Sequence, residues 1–267
     1  MSASENIPQT GKRLSIQVDL NGLSFAIIDT QTNSCLDWRS LSYTIPHGDM
    51  NEWAKEVDRI FTQELVLSKS YDSCSVYLNT TKYTLIPTSL FLPEQAHVVL
   101  NQLFPLDDLE EVNHLSLPAF MATGLFAGPG PLSATIIKHQ RNARFFATFV
   151  PLLYYLKAQP HFSKGLIHYS PTHIHLILMQ GERLLLCNAY AIDKFTTGLY
   201  FLFNALNQWQ MNPHSLSLYL SGPFKTAHLK QLTTYFPSLT VATASDFLFP
   251  TEALNLQFAP LLFPVCE

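Results

Sequence analysis

The chain has 267 residues, of which 47% are hydrophobic and 13% are charged, and its formal net charge is −4 at pH 7. This apolar content excludes intrinsic disorder over most of the length, because so much apolar surface collapses into a core. Without a basic excess, the sequence gives no electrostatic footprint for nucleic acid. The longest apolar run, 145–156, is also shorter than the roughly 20 residues of a bilayer span.

Cysteine spacing and the polar N-terminus indicate the compartment. The 4 cysteines are far apart and form no CxxC pair, so neither a disulfide framework nor a redox motif is indicated. The opening MSASENIPQTGKR lacks the apolar stretch of a secretory signal. We therefore expect a reduced, cytoplasmic protein with no nucleic-acid or membrane partner.

The first half of the sequence predicts an α/β unit that opens on a hairpin. Apolar and polar residues alternate over 14–19 and again over 23–29, which is typical of half-buried strands. Asn21-Gly22 between them is a strong hairpin signal, because both residues tolerate a positive φ. The following elements are a strand near 36–45, a helix that Asp49 and Glu52 start as a capping box, a strand at 73–79, an extended piece at 83–86, a helix at 93–103 and a closing strand at 112–117.

The second half predicts the same order of elements. These are strands at 165–170, 174–179 and 183–192, a helix from Asp193 to Trp209, a strand at 215–220, a helix at 224–236 and a strand at 239–242. Between the halves, 143–158 predicts a helix that Pro151 kinks or ends. We expect a first lobe at 13–120, a connecting helical region at 121–164 and a second lobe at 165–267.

Two copies of β-β-β-α-β-α-β resemble the plan of the actin-like ATPase superfamily, which includes sugar kinases and the 70-kDa heat-shock proteins. The opening LSIQVDLNGLSFAIID is similar, more narrowly, to an uncharacterised bacterial family with an actin-like ATPase fold. The resemblance implies an α/β, two-lobed fold that duplicates a ribonuclease H-like unit. It also implies a nucleotide cleft between the lobes.

In that superfamily, an Asp-x-Gly hairpin of the first lobe wraps a phosphate and holds magnesium through water. The resemblance places Asp19, Asn21 and Gly22 there. The matching hairpin of the second lobe reads HYSPTH over 168–173 and has neither carboxylate nor glycine. The adenosine loop would follow the fourth strand of that lobe, where Ser221-Gly222-Pro223 stands. Because proline lacks the N–H that a phosphate loop donates, these loops look eroded.

Each candidate residue also has a purely structural explanation. The hairpin turn alone accounts for Asn21-Gly22, and Ser221-Gly222 can simply end a strand. His173 and His175, with His168 on the adjacent strand, have a spacing that can chelate a metal. No Cys, Asp or Glu stands nearby in sequence, so we assign no metal ligand. We assign no catalytic residue either, since GxSxG, HExxH and GxxxxGK[ST] motifs are missing from the sequence.

Two functions remain open. The first is a non-catalytic interaction protein on an actin-like scaffold, which binds a protein partner or forms a homodimer. The alternative is an ATPase or kinase that binds ATP and magnesium through Asp19, Asn21, Gly22, Ser221 and Gly222. We expect Ser170 or Thr172, and no second carboxylate, to face Asp19 across the cleft. An acidic residue such as Asp193 or Asp246 within reach of Asp19 would instead favour an enzyme.

Overall fold

The computed structural model describes residues 9–32, 34–45 and 48–242. The elements before residue 160 are β1 (Gln9–Asp19), β2 (Gly22–Asp29), β3 (Cys35–Ser42), α1 (Met50–Gln63), β4 (Tyr71–Leu78), β5 (Tyr83–Pro87), α2 (Ala96–Leu103), β6 (Glu110–Leu117), β7 (Ala122–Pro129), α3 (Gly130–His139), β8 (Ala143–Ala147) and α4 (Phe149–Ala158). Those after it are β9 (Ser163–Tyr169), β10 (His173–Gln180), β11 (Arg183–Ala191), α5 (Phe195–Gln208), β12 (Ser217–Ser221), α6 (Thr226–Thr233) and β13 (Leu239–Val241).

Two five-stranded sheets repeat one topology. The first has the order β3-β2-β1-β4-β8 and the second the order β11-β10-β9-β12-β13. In each sheet the first three strands form antiparallel pairs, while the last two run parallel to the first strand of the unit. A separate three-stranded sheet has the order β5-β7-β6. The fold is therefore two-lobed and mixed α/β, as the repeated pattern of the sequence predicts.

One hydrophobic core is continuous between the two lobes. Its first part lies between the first sheet and α1, whose buried stripe contains Trp53, Val57, Ile60 and Phe61. The same core takes in α4, which is buried along most of its length and packs against β9 and β10. A second core lies between the second sheet and the helices α5 and α6. Because α4 is shared, the lobes are held together by buried apolar contacts.

Two expectations for the middle of the chain are wrong. Val112–Leu117 does not close the first sheet, since it lies in the three-stranded sheet within β6. The fifth strand of the first sheet is β8, which lies in the stretch expected to be helical. The sequence ARFFA is too short for its periodicity to separate a buried strand from a helix, and parallel pairing with β4 decides it.

Pro151 does not kink a helix, because α4 begins at Phe149 and the proline stands in its first turn, where proline is tolerated. The region 121–164, expected to be a helical connection, contains β7 and β8 as well as α3 and α4. The division into lobes at 13–120 and 165–267 stays a prediction. α5 begins at Phe195 rather than at Asp193. In the described part of the chain, no helix is both long and apolar enough to cross a membrane.

The start of α1 provides a test of local folding. Asp49 is its N-cap and accepts hydrogen bonds from the backbone N–H groups of Asn51 at 2.8 Å and Glu52 at 3.1 Å. The Glu52 carboxylate pairs with Lys55 at 2.7 Å. Asp49→Ala should lower the free energy of unfolding by about 1 kcal/mol in urea denaturation, since two helix donors lose their acceptor. Asp49→Asn, which keeps an acceptor, should lose little; an equal loss in both variants would contradict this account of the cap.

Candidate functional site in the interlobe cleft

The turn between β1 and β2 faces the turn between β9 and β10 across a cavity of 170 Å³. The facing arrangement that the resemblance implies is therefore present. The cavity is lined mainly by polar side chains from the ends of the central strands of both sheets. They are Gln17, Asp19, Asn21, Gly22, Ser24, Ser40, Leu41, Ser42, Asn79, His168, Tyr169, Ser170, Pro171 and Pro223.

The first turn uses its glycine differently from the expectation. Asp19 pairs with Gly22, which leaves Leu20 and Asn21 as the two-residue loop. Neither Asn21 nor Gly22 adopts a positive φ, so the expected reason for Asn-Gly is wrong. A Cβ at Gly22 would instead lie 2.8 Å from the carbonyl oxygen of Leu41 on β3. Glycine is required because the neighbouring strand approaches closely.

The Asp19 carboxylate is held by groups of its own lobe. Its Oδ1 accepts a hydrogen bond from the Leu20 N–H at 2.6 Å, and its Oδ2 accepts one from the Asn79 side-chain amide at 2.7 Å. The Asp19 carbonyl accepts from the Tyr43 hydroxyl at 2.7 Å, and that hydroxyl accepts from the indole N–H of Trp53 at 2.8 Å. Both carboxylate oxygens therefore already have a protein donor.

Asn79, which follows β4, joins the two lobes through its side chain. Its amide nitrogen donates to Asp19, so its Oδ1 points to the second lobe. There it accepts hydrogen bonds from Nε2 of His173 at 3.1 Å and of His175 at 3.3 Å. Both histidines must then carry their proton on Nε2. Nδ1 of His175 lies 3.2 Å from the Tyr83 hydroxyl, which is placed to donate to it.

The three histidines of this cluster are buried and neutral. Burial lowers the pKa of His168 to about 3, lowers the pKa of His175 well below its usual value and lowers that of His173 as well. The neighbouring histidines act in the same direction on the pKa values of His168 and His175. Nδ1 of His168 lies 3.0 Å from the hydroxyl of buried Ser221. His168 thus contacts His175 through its ring, with the centroids 5.7 Å apart, whereas Asn79 bonds to His173 and His175.

Gly222 closes the cleft on the side of the second lobe. Its φ is +103°, and a Cβ there would lie 2.2 Å from the Tyr169 carbonyl oxygen. The backbone after β12 therefore lies in close contact with the end of β9. Pro223, the next residue, lines the cavity. The facing turn has few free donors, because the Ser170 N–H donates to the His173 carbonyl at 2.9 Å and Pro171 has no N–H.

Among the described residues, Asp19 is the acidic residue that lines this cavity. Ser170 is on the opposite wall, whereas Thr172 is not among the lining residues. Asp193 is engaged with the Thr197 hydroxyl at the start of α5, and Asp246 lies outside the described residues. Within the described ranges, no group of three or more His, Cys, Asp and Glu side chains is placed to hold a metal ion.

The sequence analysis missed Asn79 and Tyr83. Asn79 comes directly after the buried strand β4, which runs parallel to β1, so the carboxyl ends of the two strands meet at one edge. A sequence-based pairing of β1 with β4 would therefore have placed Asn79 beside Asp19. Tyr83 had no signal, because its place between Phe149 at 4.3 Å and His175 at 5.6 Å depends on tertiary packing.

The fold is that of the actin-like ATPases. A protein of unknown function from Bacteroides thetaiotaomicron with an actin-like ATPase fold is similar with a TM-score of 0.80 and 19% identity, over 96% of each chain. The PilM-PilN type IV pilus biogenesis complex contains a chain that is similar with a TM-score of 0.58 and 12% identity, over 94% of this chain and 96% of that one. At these identities the likeness shows the fold alone.

The chain belongs to the family described as "Protein of unknown function (DUF3822)", which matches residues 3–239. No match was found among curated proteins. The family membership agrees with the resemblance that the opening hairpin carries.

Gly222 allows a test of the closed cleft. Gly222→Ala should lower the free energy of unfolding by about 3 kcal/mol or more, because it combines a positive φ with a backbone clash. Gly48→Ala is the matched control, since Gly48 has a φ of +69° with no atom near its missing Cβ. It should cost about 1 kcal/mol in the same urea denaturation. Equal losses would show that the approach to Tyr169 contributes nothing.

The histidine cluster predicts a loss of stability in acid. In the unfolded chain these histidines titrate near pH 6.5, and in the folded protein their pKa values are lower. As the pH falls below about 6.5, the histidines of the unfolded state bind protons, whereas those of the folded state do not. For His168 this difference persists down to about pH 3, its pKa in the folded protein. The free energy of unfolding should then fall by about 1.4 kcal/mol per pH unit for each buried histidine.

The measurement is urea denaturation at a series of pH values between about 7 and 5. His175→Gln should reduce the pH slope, whereas His97→Gln, at an exposed position on α2, should not. A slope that His175→Gln leaves unchanged would contradict the assignment.

Proposed function

We propose that this protein is a non-catalytic interaction protein whose interlobe cleft is filled by its own polar side chains. One observation carries the proposal. The carboxylate that would serve the first phosphate loop, Asp19, is bonded to Asn79, and Asn79 is bonded to two buried histidines of the other lobe. The side chains that would contact a ligand are therefore hydrogen-bonded to one another.

Size and charge both support this proposal. The cavity measures 170 Å³, whereas pockets for small molecules usually measure about 300–1,000 Å³. In the part of the chain that the structure describes, Asp19 is the charged residue among the lining side chains, with no lysine or arginine beside it. A triphosphate placed there would meet a carboxylate and neutral hydroxyls. Phosphoryl transfer depends on cations and backbone donors around the phosphates, so Asp19, Asn21 and Gly22 do not fit a magnesium nucleotide.

The second loop supports the same reading. Ser221 bonds to His168, and Gly222 lies against the Tyr169 backbone. These residues are therefore engaged where an adenosine contact would require them to be free. The position of Gly222 is explained by close packing, so it provides no separate argument for nucleotide binding.

A binding role is compatible with what the fold does elsewhere. One fold relative is a component of the PilM-PilN complex, so this scaffold occurs in an assembly of proteins. Fold alone does not fix function, and the argument for this chain rests on its cleft. We place the protein in the cytoplasm as part of the same proposal. The alternative, an ATPase or kinase, is favoured by the two facing turns and by Asp19.

Nucleotide titration separates the two functions. We expect no change in thermal unfolding with ATP and magnesium at millimolar concentration, because the cavity is small and Asp19 is already bonded to Leu20 and Asn79. Binding at 100 times the dissociation constant would add about 2.7 kcal/mol of stability. Magnesium alone and ATP with a chelator are the controls for ion effects. A shift that appears with ATP and magnesium and disappears in Asp19→Asn would establish the alternative.

A further inference from the structure

The outer edge of β11 differs from the other sheet edges. In the described part of the chain, no strand pairs with that edge. Sheet edges usually carry charges, prolines or very short strands, which prevent pairing with another chain. The five other edge strands have such features: β3 contains Asp37 and Arg39, β5 ends at Pro87, β6 begins with Glu110 and Glu111, β8 has five residues including Arg144, and β13 has 3 residues.

β11 has none of these features beyond its first residue. Its sequence is RLLLCNAYA, so eight residues without charge, proline or glycine follow Arg183. The residues from Leu184 to Tyr190 are all partly exposed, although one face of the strand packs against the first core and the other face against the second. A strand that is apolar on both faces and open at its edge is suited to extend a sheet.

The backbone shows which groups point outward. The N–H of Ile192 donates to the Thr172 carbonyl, on the side of β10. By alternation, the N–H groups of Cys187, Ala189 and Ala191 point to the open edge. The N–H of Ala189 accordingly bonds to the side chain of Asn188 at 2.9 Å rather than to a strand. The Asn188 side chain can release the Ala189 N–H, which can then donate to a carbonyl of a neighbouring strand.

We propose that a second copy of this chain pairs with β11 in antiparallel orientation about a two-fold axis near Asn188. This inference rests on the proposed interaction role and names the partner. The register brings Cys187 opposite Ala189 of the other copy. Because β11 has a bulge at Leu185 and ends at Ala191, Arg183 and Asp193 lie outside this ladder, and the pairing brings Arg183 of one copy to the end of the strand pair where Asp193 of the other copy follows β11. Both side chains are exposed, so two opposite-charge contacts flank the uncharged centre. The edge is thus complementary to itself in charge as well as in hydrogen bonding.

Aromatic side chains on α5 extend this surface. Tyr190 of β11 stacks on Phe201 at 4.4 Å, and Phe201 contacts Tyr200 at 5.5 Å. The Tyr200 side chain is 65% exposed. The two-fold axis places these groups on both sides of the strand pair. Weak interfaces bury less than about 1,200 Å² in total, and we expect this strand pair to be one of them.

Analytical ultracentrifugation of the full chain tests the dimer, over concentrations on the order of 1 to 100 µM. We expect a monomer–dimer equilibrium. Asn188→Lys should raise the dissociation constant about tenfold, because it places like charges together at the axis. Leu36→Lys adds the same charge to the edge strand β3 and should leave the equilibrium unchanged. Circular dichroism and thermal unfolding establish that each variant is folded.

A charge exchange tests the register. Arg183→Glu should weaken the dimer, because it brings carboxylates together, and adding Asp193→Lys should restore it. A monomer throughout the concentration range would overturn the proposal, as would a dimer that Asn188→Lys leaves intact or that the charge exchange does not affect. Neither outcome depends on nucleotide, so failure here is distinguishable from a thermal shift with ATP and magnesium.

Discussion

The hydrogen bonds of Asn79 are the interaction on which the cleft depends. One amide side chain satisfies the Asp19 carboxylate of its own lobe and two histidines of the other. Buried polar groups are costly unless their partners are present, so each member needs the others. Separating the lobes here would expose four polar side chains at once while leaving the apolar core beneath them open. The network therefore both positions the facing turns and keeps them close.

The two lobes repeat one topology but end their first hairpins differently. The first lobe turns tightly over Leu20 and Asn21, with a carboxylate at Asp19. The second turns equally tightly over Pro171 and Thr172, with no carboxylate, and β10 then places His173 and His175 at the interface. A charged residue on one side meets neutral imidazoles on the other. The two lobes therefore differ at this turn, because the second lobe has no carboxylate at the position that corresponds to Asp19.

Patterns of local origin were predictable from the sequence. The alternation of β1 and β2, the apolar stripe of α1 and the element order of the second half all appear in the structure, because each depends on a fixed period. β8 was missed because a five-residue apolar run has no distinguishing period, and its strand is decided by pairing with β4. In the cleft, Asp19 and the histidines were identified from sequence. Their mutual arrangement was not, since it depends on Asn79 and on the contact between lobes.

The position of α4 has a mechanical consequence. This helix follows the last strand of the first sheet and packs on the second, so it belongs to both halves of the core. Proteins that work by hinge closure keep a sparsely packed boundary, along which two bodies rotate without losing buried area. Here a rotation of one lobe against the other would expose the apolar side chains that pack against α4. The two halves therefore share one packed core and behave as a single block rather than as two bodies joined by a hinge.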